Sequence, residues 1–297
     1  MSLLSITDVP APAKLNLFLH VIGRRADGYH LLQSLFVLID WCDTLHFERR
    51  ADGRLARHDL GAALPEDDLC LRAARALQQA SGTAQGADIS IDKAVPWGAG
   101  MGGGSSDAAS TLLALNRLWG LGWPTEKLMP LAVALGADVP FFLAGHGACF
   151  VEGIGEKLTP VAVPAAAFAV VKPAGGAETR AVFTSPLLRR DTEPVILADL
   201  LDSGVALATF GRNDLQPPAQ AVCGEIDEAL RWTAARFGNG RMTGSGSAVF
   251  AVLGAGEKPA PGELVDLPAG WSGRICRLLA AHPLAGWAPE ASDARRS

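Results

Sequence analysis

The chain has 297 residues, 49% of them hydrophobic and 19% charged, with a formal charge of −5. This composition excludes a disordered chain, offers no basic excess for a nucleic-acid backbone, and contains no apolar run long enough to span a membrane. Five cysteines, odd in number and without a CxxC pair, fit neither a zinc cage nor a disulfide framework and point to the reduced cytoplasm.

Residues 13–22 form an apolar run interrupted by Lys14 and Asn16 and read as a strand. Residues 23–28 carry turn chemistry, 31–41 read as a second buried strand, and Asp52-Gly53 marks a hairpin-like turn. Pro65 and the acids Glu66, Asp67 and Asp68 open a helix running through Leu77. Residues 87–92 alternate as a strand, a glycine-rich stretch follows, and an Ala/Leu-rich helix begins near Asp107. Pro124 starts another helix that ends near Gly136. A domain boundary falls at 160–164, giving an N-terminal domain 1–160, a C-terminal domain 161–287 and a polar, disordered tail 288–297. In the second part 168–171 and 248–253 read as strands, 225–237 as a helix and 254–262 as a surface loop. The pattern is α+β rather than a strict βαβ alternation.

The stretch Pro96-Trp97-Gly98-Ala99-Gly100-Met101-Gly102-Gly103-Gly104-Ser105-Ser106 carries five glycines and runs straight into a helix. Glycine brings no side chain to pack, so its use here is close backbone approach to a ligand. The helix N-terminus beyond it favours an anion, and Ser105, Ser106 and Asp107 are natural N-cap residues able to meet phosphate or its metal. No Lys follows Gly104, which argues against a Walker P-loop. Gly98, Gly100 and Gly103 satisfy a dinucleotide pattern, but no acidic residue ends a second strand about 20 residues later. A flexible linker is disfavoured by the flanking strand and helix.

Lys14 and Asn16, at i and i+2, emerge on one face of their strand. A buried ammonium needs an anion, and Asp138, lodged among apolar residues beside Pro140, needs a cation. Pairing the two satisfies both and leaves a carboxylate able to take a hydroxyl proton. Tyr29 and His30 follow the Asp27-Gly28 turn and suit a planar heterocycle through stacking and edge contacts. A second glycine/serine loop, Arg241 to Ser247, offers another anion nest.

Taken together, Pro12 to Leu17, Arg25 to His30, Pro96 to Ala109, Gly136 to Phe142, Asn213 to Leu215 and Thr243 to Gly246 resemble the GHMP kinase superfamily in content and order. The likeness is strongest to the branch whose acceptor is a cytidine diphosphate-linked methylerythritol. It implies an N-terminal domain like domain 2 of ribosomal protein S5, a ferredoxin-like C-terminal domain and an active cleft between them. It implies ATP phosphates on residues 96–106 with Lys93 near the nucleotide, Asp138 as general base, and Lys14 orienting it. By the same resemblance Asn16, Tyr29, His30, Thr179, Phe183, Gly244, Ser245 and Gly246 meet the acceptor, with the Tyr29 and Phe183 rings flanking its cytosine. Mg²⁺ accompanies ATP, held by phosphates and water, and no residue is assigned to it. The implied partner is a small molecule, with no nucleic acid and no membrane, and the chain a monomer or weak homodimer. The alternatives are a GHMP kinase of the homoserine or mevalonate type and an inactive nucleotide-binding homologue. Asp68, Arg180, Ser247 and the segment from Cys276 onward depart from the family pattern.

Overall fold

The computed structural model describes residues 3–61, 63–202, 209–254 and 260–289. Its first half is organised by two long antiparallel strands, β1 (Ser5–Arg24) and β2 (His30–Arg50). Residues 11–21 of β1 are buried without a break, because both faces of this sheet are covered. Alternation along β2 shows the division. Leu35, Val37 and Ile39 enter one core, Phe36 and Leu38 the other. The expected end of this strand at Trp41 is too early. Past it Asp43, Leu45 and Phe47 keep the buried register while Thr44, His46 and Glu48 lean outward, and the strand runs on to Arg50.

β3 (Leu55–Asp59), α1 (Leu69–Ser81) and β4 (Gly86–Asp92) form a parallel crossover, with Asp68 capping α1 through Leu71 N at 3.0 Å. There follow α2 (Gly103–Leu118), α3 (Thr125–Leu135), α4 (Val139–Leu143), β5 (Ala148–Gly153) and β6 (Lys157–Pro160). The sheet order is β3-β4-β2-β5-β6, with β1 on the other edge of β2. β4 takes the late half of β2 and β5 the early half. The nearly fully buried α2 fills the core against this sheet, with α1, α3 and α4 around it.

The second sheet, β10-β11-β7-β9-β8, is antiparallel throughout. Its elements are β7 (Ala167–Lys172), α5 (Thr179–Thr184), α6 (Leu197–Asp202), α7 (Gln216–Val222), α8 (Gly224–Phe237), β8 (Arg241–Met242), β9 (Val249–Val252), β10 (Gly262–Glu263) and β11 (Ser272–Arg277). Ile226 and Ala229 of α8 pack on Met242 and Val249. After β11 the chain returns to the first half, where Leu279 N donates to Leu38 O at 2.9 Å and Leu284 and Ala288 join the first core. A division at 287/288 therefore has no structural counterpart, because Ala288 is buried. Residues 290–297 of the expected tail lie outside the described residues. No helix among the described residues is long and apolar enough to cross a membrane.

Candidate active site

The glycine stretch leaves β4 and feeds α2, which starts four residues earlier than its Ala/Leu content suggests. Gly102, left-handed at φ +70, is the N-cap and supplies no side-chain cap. The first helical bond is Ser106 N to Gly102 O at 2.9 Å, so the N–H groups of Gly103, Gly104 and Ser105 have no helical acceptor. Ser105, Ser106 and Asp107 are thus residues within the helix and not its caps. A cavity of about 280 Å³ is lined by Leu69, Lys93 and residues 95–105, including Pro96, Trp97, Ala99 and Met101. Ser106 does not line it; the residue is fully buried and its hydroxyl has no partner.

The second glycine loop lies against the back of the first. A Cβ on Gly100 (φ +72) would overlap Thr243 O, and one on Gly244 (φ +55) would stand 2.5 Å from Gly100 O. Only glycine permits that approach at those angles. Ala248 N donates to Ala99 O at 3.1 Å, and Asn213 holds the loop through 2.8 Å bonds from Nδ2 to Met242 O and Gly244 O.

Beneath the cradle, Lys93 is clamped between Asp43 and Asp107, with 2.5 Å to Asp107 Oδ2. Asp43 also accepts from Ala94 N and Val95 N, both at 2.7 Å, fixing the entry to the loop. Burial, opposed by Lys93 and reinforced by Asp43, pushes the Asp107 carboxyl well above the usual range. Asp107 is engaged by Lys93 through Oδ2, its buried Oδ1 has no partner, and the residue does not line the cradle cavity. Among the described residues no group of three or more His, Cys, Asp or Glu is arranged to hold one. Asp68 is likewise engaged, by the α1 cap and by Arg57 at 3.0 Å.

Lys14 sits on β1 with its main-chain N bonded to Met101 O at 2.9 Å, so strand and cradle are pinned together. Its Nζ stands 3.6 Å from Asp138 Oδ2, donates to Asn16 Oδ1 at 2.5 Å and lies 4.6 Å from the Phe36 ring centre. Burial lowers the Lys14 pKa, and the charge of Asp138 partly offsets this. Asp138 precedes α4 without capping it through its side chain. The ammonium is 4% exposed and the carboxylate 32%, so the acid faces the open side. Asn16 lines the same space, but its side chain is occupied by Lys14 and by Ser34 Oγ at 2.9 Å, while its N–H takes Thr243 Oγ1 at 2.8 Å. A cavity of about 440 Å³ collects Lys14, Asn16, Asp138, Thr179 and Phe183 with Gly244, Ser245 and Gly246. Thr179 Oγ1 and Ser245 Oγ are bonded to each other at 2.9 Å.

A third cavity, about 900 Å³, holds Tyr29, His30 and Phe183 with Arg24, Arg180 and Arg190. The His30 and Phe183 rings lie 5.2 Å apart at 34°, and Tyr29 is 60% exposed. Gly98, Gly100, Gly102 and Ser105 wall the first and second cavities in common, and Leu32, Ile154 and Phe183 the second and third. The three form one trough. Asp43, Ser34 and Arg190 were not singled out from sequence, and Thr243 and Asn213 entered only as members of motif segments with no role of their own. Of these only Asp43 left a legible signal, as a charge at an inward position between Trp41 and Leu45.

The family model "GHMP kinases N terminal domain" matches residues 68–146 and "GHMP kinases C terminal" matches 196–263. The 4-diphosphocytidyl-2-C-methyl-D-erythritol kinase of Methylibium petroleiphilum is 63% identical over 290 residues, covering 97% of this chain and 100% of its own length. The chain belongs to the GHMP kinase family. A protein of the same name from Polaromonas sp. is 58% identical over 95% of this GHMP kinase chain and 94% of its own. A crystal structure of 4-(cytidine 5'-diphospho)-2C-methyl-D-erythritol kinase superposes with a TM-score of 0.68 at 36% identity, covering 84% and 90% of the two chains. Methanococcus jannaschii mevalonate kinase, at 14% identity and a TM-score of 0.62 over 94% of this chain and 99% of its own, shares the two-domain GHMP fold.

Proposed function

We propose that the protein transfers the γ-phosphoryl group of ATP to the 2-hydroxyl of 4-diphosphocytidyl-2-C-methyl-D-erythritol, a step of non-mevalonate isoprenoid biosynthesis. The observation that carries the reading is the order of the trough: glycine cradle, then the Lys14–Asp138 pair, then an aromatic cleft. A phosphate donor, a reacting alcohol and a pyrimidine fit that sequence of environments, and the names of the relatives support the same substrate. Homoserine and mevalonate carry no ring for the cleft.

The unbonded N–H groups of Gly103, Gly104 and Ser105 would receive phosphate oxygens at the helix terminus. Mg²⁺ would neutralise charge on the transferred group. The side chains offer it little beyond the Ser105 hydroxyl, since Asp43 and Asp107 are held by Lys93, so it would arrive with the nucleotide. Asp138 accepts the hydroxyl proton as the acceptor oxygen bonds to the γ-phosphorus and the bond to the ADP oxygen breaks. Lys14 pairs with Asp138 and offsets charge gathering on the transferred group, while Asn16 aims Lys14. Tyr29 and Phe183 flank the base, with His30 at its edge. Five free thiols support a reducing compartment such as the cytoplasm.

The test is ADP release with purified protein, ATP and Mg²⁺ against this acceptor, homoserine and mevalonate, with the product's new phosphate located by ³¹P NMR. Turnover confined to the cytidyl acceptor is expected. Turnover only with another alcohol, or with none, removes the proposal.

A further inference from the structure

Arg190, half-buried in the segment after α5, commits its guanidinium to the wall of the base-side cavity. Nη1 donates to Leu188 O at 3.0 Å, and Nη2 donates to Ser185 O at 3.0 Å and Phe183 O at 3.2 Å. Nε donates to His30 Nε2 at 3.1 Å. Arginine keeps its protons in proteins and has no lone pair to offer, so His30 Nε2 must be the acceptor. An imidazole whose Nε2 accepts is neutral and carries its hydrogen on Nδ1. The charged and ring groups facing His30 agree with this. Arg190 meets its edge, Phe183 covers its face, and Arg24 is its strand partner across the turn. Asp27, in the same turn, is paired with Arg25 at 2.8 Å. Burial and the charges of Arg190 and Arg24 all lower the affinity of His30 for a second proton. Among the described residues no protein acceptor takes Nδ1–H, and the ring lines the cavity.

We propose that Arg190 is a positioning residue for the acceptor's base: it locks His30 as the Nδ1–H tautomer, which donates to the O2 or N3 acceptor of a pyrimidine. The inference rests on the reading of the acceptor as a cytidine diphosphate derivative. Unconstrained imidazole favours hydrogen on Nε2, which would leave Nδ1 a lone pair facing the base's own lone pairs. Arg190 removes that alternative.

Two measurements decide it. Ring ¹⁵N NMR of the free enzyme should show His30 as Nδ1–H in the wild type and shifted toward Nε2–H in Arg190→Met; an Nε2–H wild-type ring overturns the proposal. In steady state, Arg190→Met should raise the KM for the cytidyl acceptor about tenfold at pH 8, the cost of one good hydrogen bond, with the KM for ATP within twofold. As pH falls the variant's His30 gains a second proton, Nδ1–H returns, and the acceptor KM should fall back toward wild type. The wild-type KM should stay flat over that range, because Nδ1 carries hydrogen in both states. Arg190→Lys, which restores a donor, should recover most of the loss. An Arg190→Met KM raised equally at every pH means a bracing role only, and refutes the tautomer lock. If Arg190→Met does not fold, the wild-type ring spectrum and Arg190→Lys still decide. If the wild type ignores the cytidyl acceptor, the substrate assignment falls, while the ring spectrum still judges the Arg190–His30 contact by itself.

Discussion

Replacing Asp138 by Asn removes the proposed base while keeping its shape, and the structure sets what should change. The lost charge stands 3.6 Å from Lys14 Nζ. Coulomb's law with an effective dielectric of about 20 gives about 4–5 kcal/mol at that separation. The carboxylate is 32% exposed, so solvent screening reduces the stability cost to about 1–2 kcal/mol. Lys14 keeps Asn16 Oδ1 at 2.5 Å and the Phe36 ring, so Asp138→Asn should fold. Turnover is another matter. An amide cannot take the hydroxyl proton, and losing a positioned general base costs about 10²–10⁴ in rate, with the weakened hold on Lys14 favouring the upper end. The assay is coupled ADP release at saturating acceptor, beside calorimetric ATP affinity and urea unfolding. Expected are kcat down about 10³-fold or more, ATP affinity within twofold and a folded protein. A kcat within tenfold of wild type would refute the base assignment, and ATP affinity lost in parallel would place Asp138 on the nucleotide instead.

Tyr29→Ala should raise the acceptor KM about tenfold, the worth of one stacked base, and leave the ATP KM within twofold; equal changes in steady-state KM values would remove the stacking role. Gly100→Ala puts a Cβ where Thr243 O lies, at a φ of +72 that alone costs about 1–2 kcal/mol, so thermal unfolding should come several degrees lower and the ATP KM should rise more than the acceptor KM. His282 is buried with Nε2 unpartnered, and burial pushes its pKa down to about 4. Its unfolded value is about 6.5, so below that pH the unfolded chain binds the extra proton first. Stability is whole above about pH 6.5 and should fall by about 3 kcal/mol as pH drops to about 4. In His282→Asn, whose Oδ1 replaces Nδ1 as acceptor for Leu284 N, urea titrations should show an acid loss smaller than wild type by about that 3 kcal/mol.

What the sequence made legible was whatever violates a local expectation. A lysine inside an apolar strand, an acid among phenylalanines and five glycines ahead of an Ala/Leu helix each conflict with packing, and each lies on the trough. The start of α2 was misread for a physical reason. Gly103 and Gly104 look like helix breakers, yet they occupy the first turn, where N–H groups have no helical partner and a bare backbone suits an anion. The length of β2 was missed because the apolar run stops at Trp41, whereas the strand continues through Asp43, whose carboxylate is buried against Lys93 and two main-chain N–H groups. Ser34, Thr243, Asn213 and Arg190 carry no such conflict. Thr243 and Asn213 lie in recognisable motif segments, but the partners they bond, like those of Ser34 and the His30 contact of Arg190, are distant in the chain and no local pattern encodes them. The return of residues 278–289 to the first core was hidden in the same way.

The cross-links also bear on how the site opens. Main-chain bonds join Lys14 to Met101 and Ala99 to Ala248, Asn16 N–H reaches Thr243, and Gly100 and Gly244 touch back to back. On the far side Arg277 N reaches Asp40 at 2.7 Å and Leu279 N reaches Leu38. The Lys14–Met101 bond ties β1 to the cradle within the first half, and a hinge that parted the two sheets would break the Ala99–Ala248 and Asn16–Thr243 bonds together, leaving buried N–H groups unpaired at about 1–3 kcal/mol each. The cradle, Lys14 and the second glycine loop therefore move as one body. On the proposed reading, admission of substrates falls to the rim, where Trp97 at 62% exposure lines the cradle cavity and Tyr29 at 60% lines the aromatic one. On that same reading, main-chain N–H groups at one end of the trough and aromatic side chains at the other set affinity, and the charge pair at its centre sets rate.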